Sequence, residues 1–497
     1  MRRTLACAFA LGCICLLAAA AKPAQLPEWA RGEPRVSHRD LQAINVPAAP
    51  KTLTLKQALE LGFANNAGFR SAIAALLDAQ ASLRVARQLY TLTAGGAVQT
   101  SDTGTDSHVT QTSASTELDY EMLSGGTISV AALLDRLDSE ENSALEIAVS
   151  QPLIRGAGRA SGRYEALRQA FVNYRKALLR YFLERQDLAL DIIQGYFGVV
   201  SAQQQLAIQE QGLQAADRAV KDAEARLKEG MTTKIEVTRA QLSQASRRLG
   251  LTRARLSYQD GQDAFLKMLG LQVGTTPELT TRVVYKPLKV DAEVMASDAL
   301  SRRPELVIEE LDLQDAQAAL MLSRNRSKPS LDLFGSAHEP LGGADNETEW
   351  TVGIQTSIPI NSRSLAEAVR RSERNWLLAQ RGRTELRQSV VTQVRRQVHA
   401  LGSQQASLDI LQQSFDLARE KLRLAEVSVE EGVGVYRDKI EAQDEVTAAE
   451  GDLLDAQIGY YFSVLDLRRA VGQDVLQGLA EETREAKPEE MQPKPGG

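Results

Sequence analysis

Cysteine and histidine are scarce in this sequence, and their positions exclude several kinds of site. The three cysteines, Cys7, Cys13 and Cys15, all lie near the start, so the remainder of the chain can form neither a disulfide nor a thiolate metal site. The four histidines show no metal-ligand spacing, and there is no phosphate-binding glycine loop and no nucleophile motif. The sequence therefore predicts a protein that is not an enzyme and that uses no metal or cofactor.

Aromatic residues are also few, at 5% of the chain, whereas charged residues make up 25%. This composition favours long polar helices over several compact cores. The 58 basic and 64 acidic residues give a net charge of −6, and no basic block is dense enough to bind a nucleic acid. We therefore predict no nucleic-acid partner.

The first 21 residues have the pattern of a secretory signal peptide. A basic start is followed by the apolar stretch 5–17 and by the small residues Ala19, Ala20 and Ala21. The apolar stretch is shorter than the roughly 18 residues that span a bilayer, which weighs against a membrane anchor. A lipoprotein in which Cys13 is lipidated is a second alternative. The pattern predicts export from the cytoplasm.

Both ends of the exported chain have compositions typical of disorder. The stretch 22–52 is rich in proline and lacks a periodic apolar pattern, and the stretch 475–497 is rich in Glu, Lys and Pro. Between them, no apolar run reaches the length of a membrane-spanning helix. If the protein lies in a membrane, the sequence predicts that strands cross it.

The sequence between these ends contains an internal repeat. The segment Asp-Ala-Gln-Ala at 78–81 recurs 237 residues later, and Ser-Gln-Pro-Leu at 150–153 recurs 207 residues later as Ser-Ile-Pro-Ile. Matches from 229 to 270 recur at a constant offset of 202 residues. The repeat predicts two copies of one unit, at 53–275 and 292–474, joined by a connector at 276–291.

The first copy is longer than the second. The offset falls from 237 to 207 residues, so the first copy carries about thirty extra residues before its Ser-x-Pro segment. The obvious place for them is 103–143. We expect this insertion to form an added surface hairpin.

Each copy is predicted to contain a helix, strands and a much longer helix. The predicted helices are 55–92, 161–228, 298–326 and 365–430, and the predicted strands are 112–120, 127–133, 145–153, 331–337 and 350–360. The stretch 93–101 is predicted to be a Gly- and Thr-rich turn. The two longest helices would each reach about 100 Å, which is too long for a compact globule.

The long helices carry apolar residues spaced by three and four, as coiled coils do. In the second copy these residues are Leu408, Leu411, Phe415, Ala418, Leu422, Ala425 and Val429. An ordinary two-stranded coiled coil is one interpretation. The abundance of Ala and the direct connection to strands favour helices that pack on more than one side.

One chain supplies four to six predicted strands, each near the nine to eleven residues that cross an outer membrane. Closed membrane barrels begin at about eight strands, and lipid does not tolerate an open sheet edge. The chain would therefore have to share a barrel with copies of itself. A soluble sandwich is the alternative for these strands.

Together these features resemble the TolC-like outer-membrane factors, the exit ducts of efflux pumps and type I secretion systems. The resemblance covers residues 53–472 and rests on the duplicated unit, on Gln-Pro-Leu at 151–153 before the long helix, and on two helical hairpins ending at Gly270 and Gly472. It implies a mainly α protein with β: a homotrimer whose chains each give four strands to a twelve-stranded barrel in outer-membrane lipid, continued by an α-helical barrel. It also implies a periplasmic adaptor protein and, through it, an inner-membrane pump.

The resemblance assigns roles to the two tips where the long helices reverse. Glycine permits the backbone angles that end a helix, so turns are expected at Glu229-Gly230 and from Glu431 to Gly434. The expected adaptor-docking residues are Gly230, Met231, Thr232, Gly432, Val433 and Gly434. The expected acidic constriction, or gate, consists of Asp438, Glu441 and Glu236. The alternatives are plain helical corners for the turns and a solvated helix face for the acids.

One feature departs from the family. Gly434 and Val429 occupy the positions at which the family uses basic and aromatic residues to tether the closed state. The alternative function is a secreted periplasmic coiled-coil structural protein with no channel. It would be soluble without detergent, whereas a duct would be extracted from outer membranes as a trimer.

Overall fold

The computed structural model describes residues 47–88, 90–102, 108–137, 140–283, 287–341, 348–360, 363–431, 436–476 and 483–485. The predicted signal peptide, most of the predicted N-terminal extension and most of the predicted C-terminal tail lie outside the described residues.

Long helices and one larger sheet dominate the described part of the chain. The helices are α1 (Leu55–Asn65), α2 (Ala67–Ala86), α3 (Gly162–Lys228), α4 (Lys234–Met268), α5 (Ala292–Arg302), α6 (Pro304–Arg326), α7 (Arg363–Glu430) and α8 (Tyr436–Val471). The strands are β1 (Thr52–Leu53), β2 (Tyr90–Asp102), β3 (His108–Glu121), β4 (Thr127–Leu137), β5 (Glu140–Pro152), β6 (Glu278–Leu279), β7 (Thr281–Val283), β8 (Ser330–Pro340), β9 (Glu349–Ser357) and β10 (Thr483–Glu485).

The first predicted helix, 55–92, is wrong in length and is divided in two. Asn66 leaves the helical conformation, and its side chain accepts a hydrogen bond from the Phe69 N–H, so it caps the start of α2. α2 ends at Ala86, and the expected Gly- and Thr-rich turn is instead part of β2. Pairing with β3 along its whole length outweighs the low strand propensity of the glycines in β2.

The larger sheet is antiparallel and contains six strands in the order β2, β3, β4, β5, β8 and β9. This exceeds the four strands that the resemblance implies. The additional pair, β3 and β4, is formed by the predicted insertion at 103–143. It lies within the sheet, between β2 and β5, and is not a separate surface hairpin.

Four long helices follow from this sheet. α3 and α7 have 67 and 68 residues, so each is about 100 Å long, and the helices that follow them have 35 and 36 residues. α3 packs against α4 and α8, and α8 packs against α7. Towards the tips the helices therefore lie in the order α4, α3, α8, α7, with α4 and α7 at the two edges, whereas nearer the sheet α6 packs against α7 and α2 against α3.

An aromatic cluster joins three of these helices. Tyr196 and Phe197 on α3 contact Phe265 on α4 and Tyr461 on α8, with ring centroids 5.3 to 6.0 Å apart in edge-on geometry. All four rings are buried. The cluster fixes the middle of α3 against α4 and α8, the shorter helices of the two hairpins.

Short strands tie parts of both predicted disordered ends to the predicted connector. β1 pairs in parallel with β6, and β10 pairs antiparallel with β7. The described parts of the two ends therefore contain paired strands. Among the helices of the described ranges, none is both long enough and apolar enough to cross a membrane.

Candidate functional site

The first predicted tip is a tight turn between α3 and α4. The Met231 N–H donates to the Arg226 carbonyl at 2.9 Å and the Gly230 N–H donates to the Leu227 carbonyl at 3.1 Å, which closes the end of α3. Gly230 has φ of 74°, a conformation that side chains disfavour. Met231 is 74% exposed and Thr232 is half-buried. An apolar side chain thus projects from the turn.

The second predicted tip is described only on its two sides. α7 ends at Glu430 and α8 begins at Tyr436, whereas Gly432, Val433 and Gly434 lie outside the described residues. Val429, at a position that the family uses for its tether, is buried. The Val429 side chain therefore belongs to the core beside the tip.

A small apolar cluster holds the two hairpins together beside their tips. Its buried members are Val220, Ala223, Val237, Ala240 and Val429, and Ile440 packs against them. These residues come from α3, α4, α7 and α8. The cluster brings the first turn of α4, which carries Glu236, and the first turns of α8, which carry Asp438 and Glu441, onto one core.

Asp438 and Glu441 lie on the same side of α8 and share a basic neighbour. The Arg437 Nε lies 3.3 Å from an Asp438 oxygen and 3.6 Å from a Glu441 oxygen. Both carboxylates remain about half exposed. They are therefore accessible to solvent, and Arg437 offsets part of their charge.

Glu236 occupies the corresponding first turn of α4. One carboxylate oxygen accepts a hydrogen bond from Arg239 at 2.8 Å, and the side chain is only 19% exposed. The first turn of a helix favours negative charge, which helps to explain an acidic residue here. Glu236 is less accessible than Asp438 and Glu441.

Sequence reasoning missed the two arginines beside these acids. Arg239 lies three residues after Glu236, and Arg437 lies four before Glu441, and these spacings bring side chains together on a helix. The signal was therefore present in the sequence. Among the described residues, no group of three or more His, Cys, Asp or Glu side chains could hold a metal ion.

The two edge helices carry a second apolar pattern that the sequence analysis did not single out. Exposed residues recur every seven positions: Ile235, Leu242, Leu249 and Leu256 on α4, and Ile410, Leu417 and Leu424 on α7. We call these the edge stripes. The predicted heptad residues Leu408, Ala418 and Val429, in contrast, are buried within the chain.

A sheet continued by paired long helices is an architecture shared with solved outer-membrane channels. The chain superposes on the structure of CusC with a TM-score of 0.66 and 17% identity, over 91% of this chain and 98% of that one. It superposes on the outer-membrane channel OprN with a TM-score of 0.66 and 16% identity, over 85% and 90% of the two chains. The chain has the fold of an outer-membrane channel subunit.

The family model for "outer membrane efflux protein" matches residues 90–271 and 295–473, and the chain belongs to this family. The alkaline protease secretion protein AprF of Pseudomonas aeruginosa is 26% identical over 328 residues, which are 61% of this chain and 66% of AprF, slightly under two thirds. The predicted resemblance to TolC-like factors is thereby confirmed, as is the location in the outer membrane. This membership weighs against the secreted coiled-coil alternative.

Proposed function

We propose that the protein is the outer-membrane exit duct of a tripartite efflux pump or type I secretion system. Three copies would form a passive conduit from the periplasm to the outside. A periplasmic adaptor would dock on the tips, and an inner-membrane pump would act through the adaptor. The observation that carries the proposal is that the described residues of one chain leave both edges of the helical layer near the tips and both edges of the six-stranded sheet unpaired.

The edge stripes support ring formation by further copies of the same chain. Exposed leucines repeated every seven residues provide a surface for another helix. The stripes lie on opposite edges of the layer, so α4 of one copy can pack against α7 of the next. Such head-to-tail contacts generate a ring when the rotation closes.

The directions of the helices fit the same arrangement. α3 and α7 run from the sheet to the tips, and α4 and α8 run back. Helices therefore alternate in direction within one chain, and an α7 to α4 contact between copies continues that alternation. The closed ring of three copies would contain twelve long helices.

The tips then supply the gate and the docking surface. Asp438, Glu441 and Glu236 are proposed to form the acidic constriction, where repeated carboxylates from three copies favour cations over anions. Gly230, Met231 and Thr232, with Gly432, Val433 and Gly434, are proposed to receive the adaptor. The exposed Met231 side chain is suited to an apolar contact with a partner helix.

Disulfide cross-linking between copies tests the ring. Leu249 lies 18 residues past Met231 and Leu417 lies 15 before Gly432, so they stand at similar heights above the tips. In the Leu249→Cys, Leu417→Cys double variant, mild oxidation should give covalent dimers and trimers on a denaturing gel. The control pairs Leu249→Cys with Arg419→Cys, because Arg419 lies on the far side of α7 and should not cross-link.

Each single-cysteine variant should stay monomeric on the same gel. If the paired variant also stays monomeric, and the detergent-purified protein has the mass of one chain, the proposed duct is wrong.

A further inference from the structure

In the half of the six-stranded sheet nearer the helices, two neighbouring rows on one face are apolar and two on the other face are more polar, and all four rows continue across β3 and β4. Direct cross-strand neighbours from β3 to β9 form two apolar rows: Leu118, Val130, Ile147, Ala337 and Trp350, and Tyr120, Ile128, Val149, Gly335 and Val352. The opposite face carries the rows Asp119, Ser129, Ala148, Ser336 and Thr351, and Glu117, Ala131, Glu146, His338 and Glu349.

This pattern is the one that a membrane barrel requires, with apolar residues towards lipid and polar residues towards the lumen. The inserted strands β3 and β4 show the same alternation of apolar and polar residues as the other strands. Leu118 and Tyr120 are exposed on the apolar face beside Val130 and Ile128. A hairpin in water above the membrane would have no reason to continue both faces. The residue pattern of β3 and β4 is therefore that of strands in the wall of a membrane barrel.

The lengths and pairing of the inserted strands agree with this. β3 has 14 residues and β4 has 11, against 11 for β8 and 9 for β9. About nine to eleven residues suffice to cross an outer membrane. Both strands are paired on both sides. If β3 and β4 lay outside the barrel wall, the facing edges of β2 and β5 would be left unpaired in lipid.

The turn between β3 and β4 is built into the junction between sheet and helices. The Ser124 carbonyl accepts a hydrogen bond from the Gly158 N–H at 2.9 Å, and the Leu123 carbonyl accepts one from the Ser161 hydroxyl at 2.8 Å. Ser161 also caps α3 through the Tyr164 N–H. Gly125 has φ of 93°, and a Cβ there would lie 2.4 Å from the Gly156 carbonyl oxygen. The hairpin is therefore anchored on the helical side of the sheet.

We propose that β3 and β4 are additional membrane-crossing strands, so that three chains of six strands close a barrel of eighteen strands. This inference rests on the proposed trimeric duct. Six is an even number, so β9 of one copy meets β2 of the next in antiparallel orientation, as in the rest of the sheet. At equal tilt, an eighteen-stranded barrel has about 1.5 times the diameter of the twelve-stranded barrel that the family resemblance implies.

Spin labels on neighbouring residues test whether the hairpin lies in the wall. Leu118→Cys and Glu117→Cys probe the two faces of β3, and Val149→Cys and Ala148→Cys are the matched pair on β5. Trimers in lipid vesicles would be exposed to molecular oxygen, which concentrates in lipid, and to a water-soluble nickel chelate. The oxygen-to-chelate collision ratio should be higher at Leu118 than at Glu117, by the same factor as at Val149 over Ala148.

The control pair separates this inference from the proposed function. If Val149 favours oxygen while Leu118 and Glu117 both favour the chelate, the hairpin lies outside the bilayer and the inference is overturned, although the duct stands. If Val149 also favours the chelate, the sheet is not in the membrane and both proposals are overturned.

Disulfide formation provides a second measurement that depends on strand order alone. Ala94 on β2 faces Thr116 on β3, and the same row continues through Ala132 to Leu145 on β5. The Ala94→Cys, Thr116→Cys pair should form a disulfide. Ala94 and Leu145 are three strand spacings, about 14 Å, apart, which is too far for a disulfide. A disulfide in the Ala94→Cys, Leu145→Cys variant would show that β2 pairs with β5 and would overturn the inference.

Discussion

At the scale of single residues, Tyr196 shows how a few buried polar contacts join distant parts of the chain. Its hydroxyl donates to the Leu53 carbonyl and accepts from the Thr281 N–H, both at 2.9 Å, and the ring is fully buried. Burial raises the pKa of this hydroxyl above its usual value, so it stays protonated as a donor. One side chain thus satisfies a backbone group from the N-terminal strand and one from β7.

Tyr196→Phe should destabilise the protein by about 2 kcal/mol, because it leaves a buried carbonyl and a buried N–H without partners. Guanidinium unfolding in detergent measures this. Tyr181→Phe is the control, since its half-buried ring contact with Phe69 is retained and a small change is expected. An equal loss in both variants would show that the hydroxyl contacts are not responsible.

The pH dependence gives an independent check on Tyr196. A tyrosine with a raised pKa in the folded state keeps its proton there but ionises at about pH 10 when the chain unfolds. Wild-type stability should therefore fall as pH rises above about 10, and it should fall more steeply than in Tyr196→Phe. Parallel curves for the two proteins would contradict a buried, protonated hydroxyl.

At the scale of elements, the long helices were predictable from the sequence because their signals are local. Ser161 provides a cap, heptads repeat along both helices, and Gly230 closes α3 with a positive φ. The end of α2 and the start of β2 were not predictable, because Gly95 and Gly96 suggest a turn and only pairing with β3 makes them a strand.

Other features could be predicted only with knowledge of which elements are neighbours in the fold. The insertion at 103–143 could be counted by subtraction, but its place inside the sheet depends on pairing with β2 and β5. The edge stripe containing Leu249 was visible as a spacing of seven. It could not be distinguished from a core stripe until the structure placed α4 at an edge.

Two glycines in open space test how the first hairpin is closed. Among the described residues, a Cβ added at Gly230 or at Gly198 would meet nothing within 4 Å, but Gly230 has φ of 74° and Gly198 lies inside α3. Gly230→Ala should therefore cost about 1 kcal/mol through backbone strain. Gly198→Ala should stabilise by roughly 0.5–1 kcal/mol, because alanine favours the helix. Guanidinium unfolding should give opposite signs, and equal signs would show that strain at the turn is not the cause.

At the scale of the whole molecule, the four open edges in the described part of one chain match each other in pairs. The sheet has free edges at β2 and β9, the helical layer has edges at α4 and α7, and those helices carry the two edge stripes. The proposed ring of copies would pair all four edges at once. It would also repeat the tips around one axis, so that each charged residue at a tip would occur once per copy.

In the proposed ring, the charges around Arg437 provide a sensitive test of the proposed gate. In Asp438→Asn, Glu441→Gln trimers in a planar bilayer, cation selectivity should weaken, because the carboxylates that attract cations are gone. Arg437→Gln should act in the opposite direction and strengthen cation selectivity, because it removes the positive charge that lies 3.3 and 3.6 Å from those carboxylates.

Glu420→Gln is the control: Glu420 is an exposed acid on α7, paired with Arg423 and outside the first turns of α8. Reversal potentials in a salt gradient measure the effect. If the double variant and Arg437→Gln leave the reversal potential where Glu420→Gln leaves it, the constriction is formed by other residues, and Glu236 with its partner Arg239 would be the next pair to neutralise.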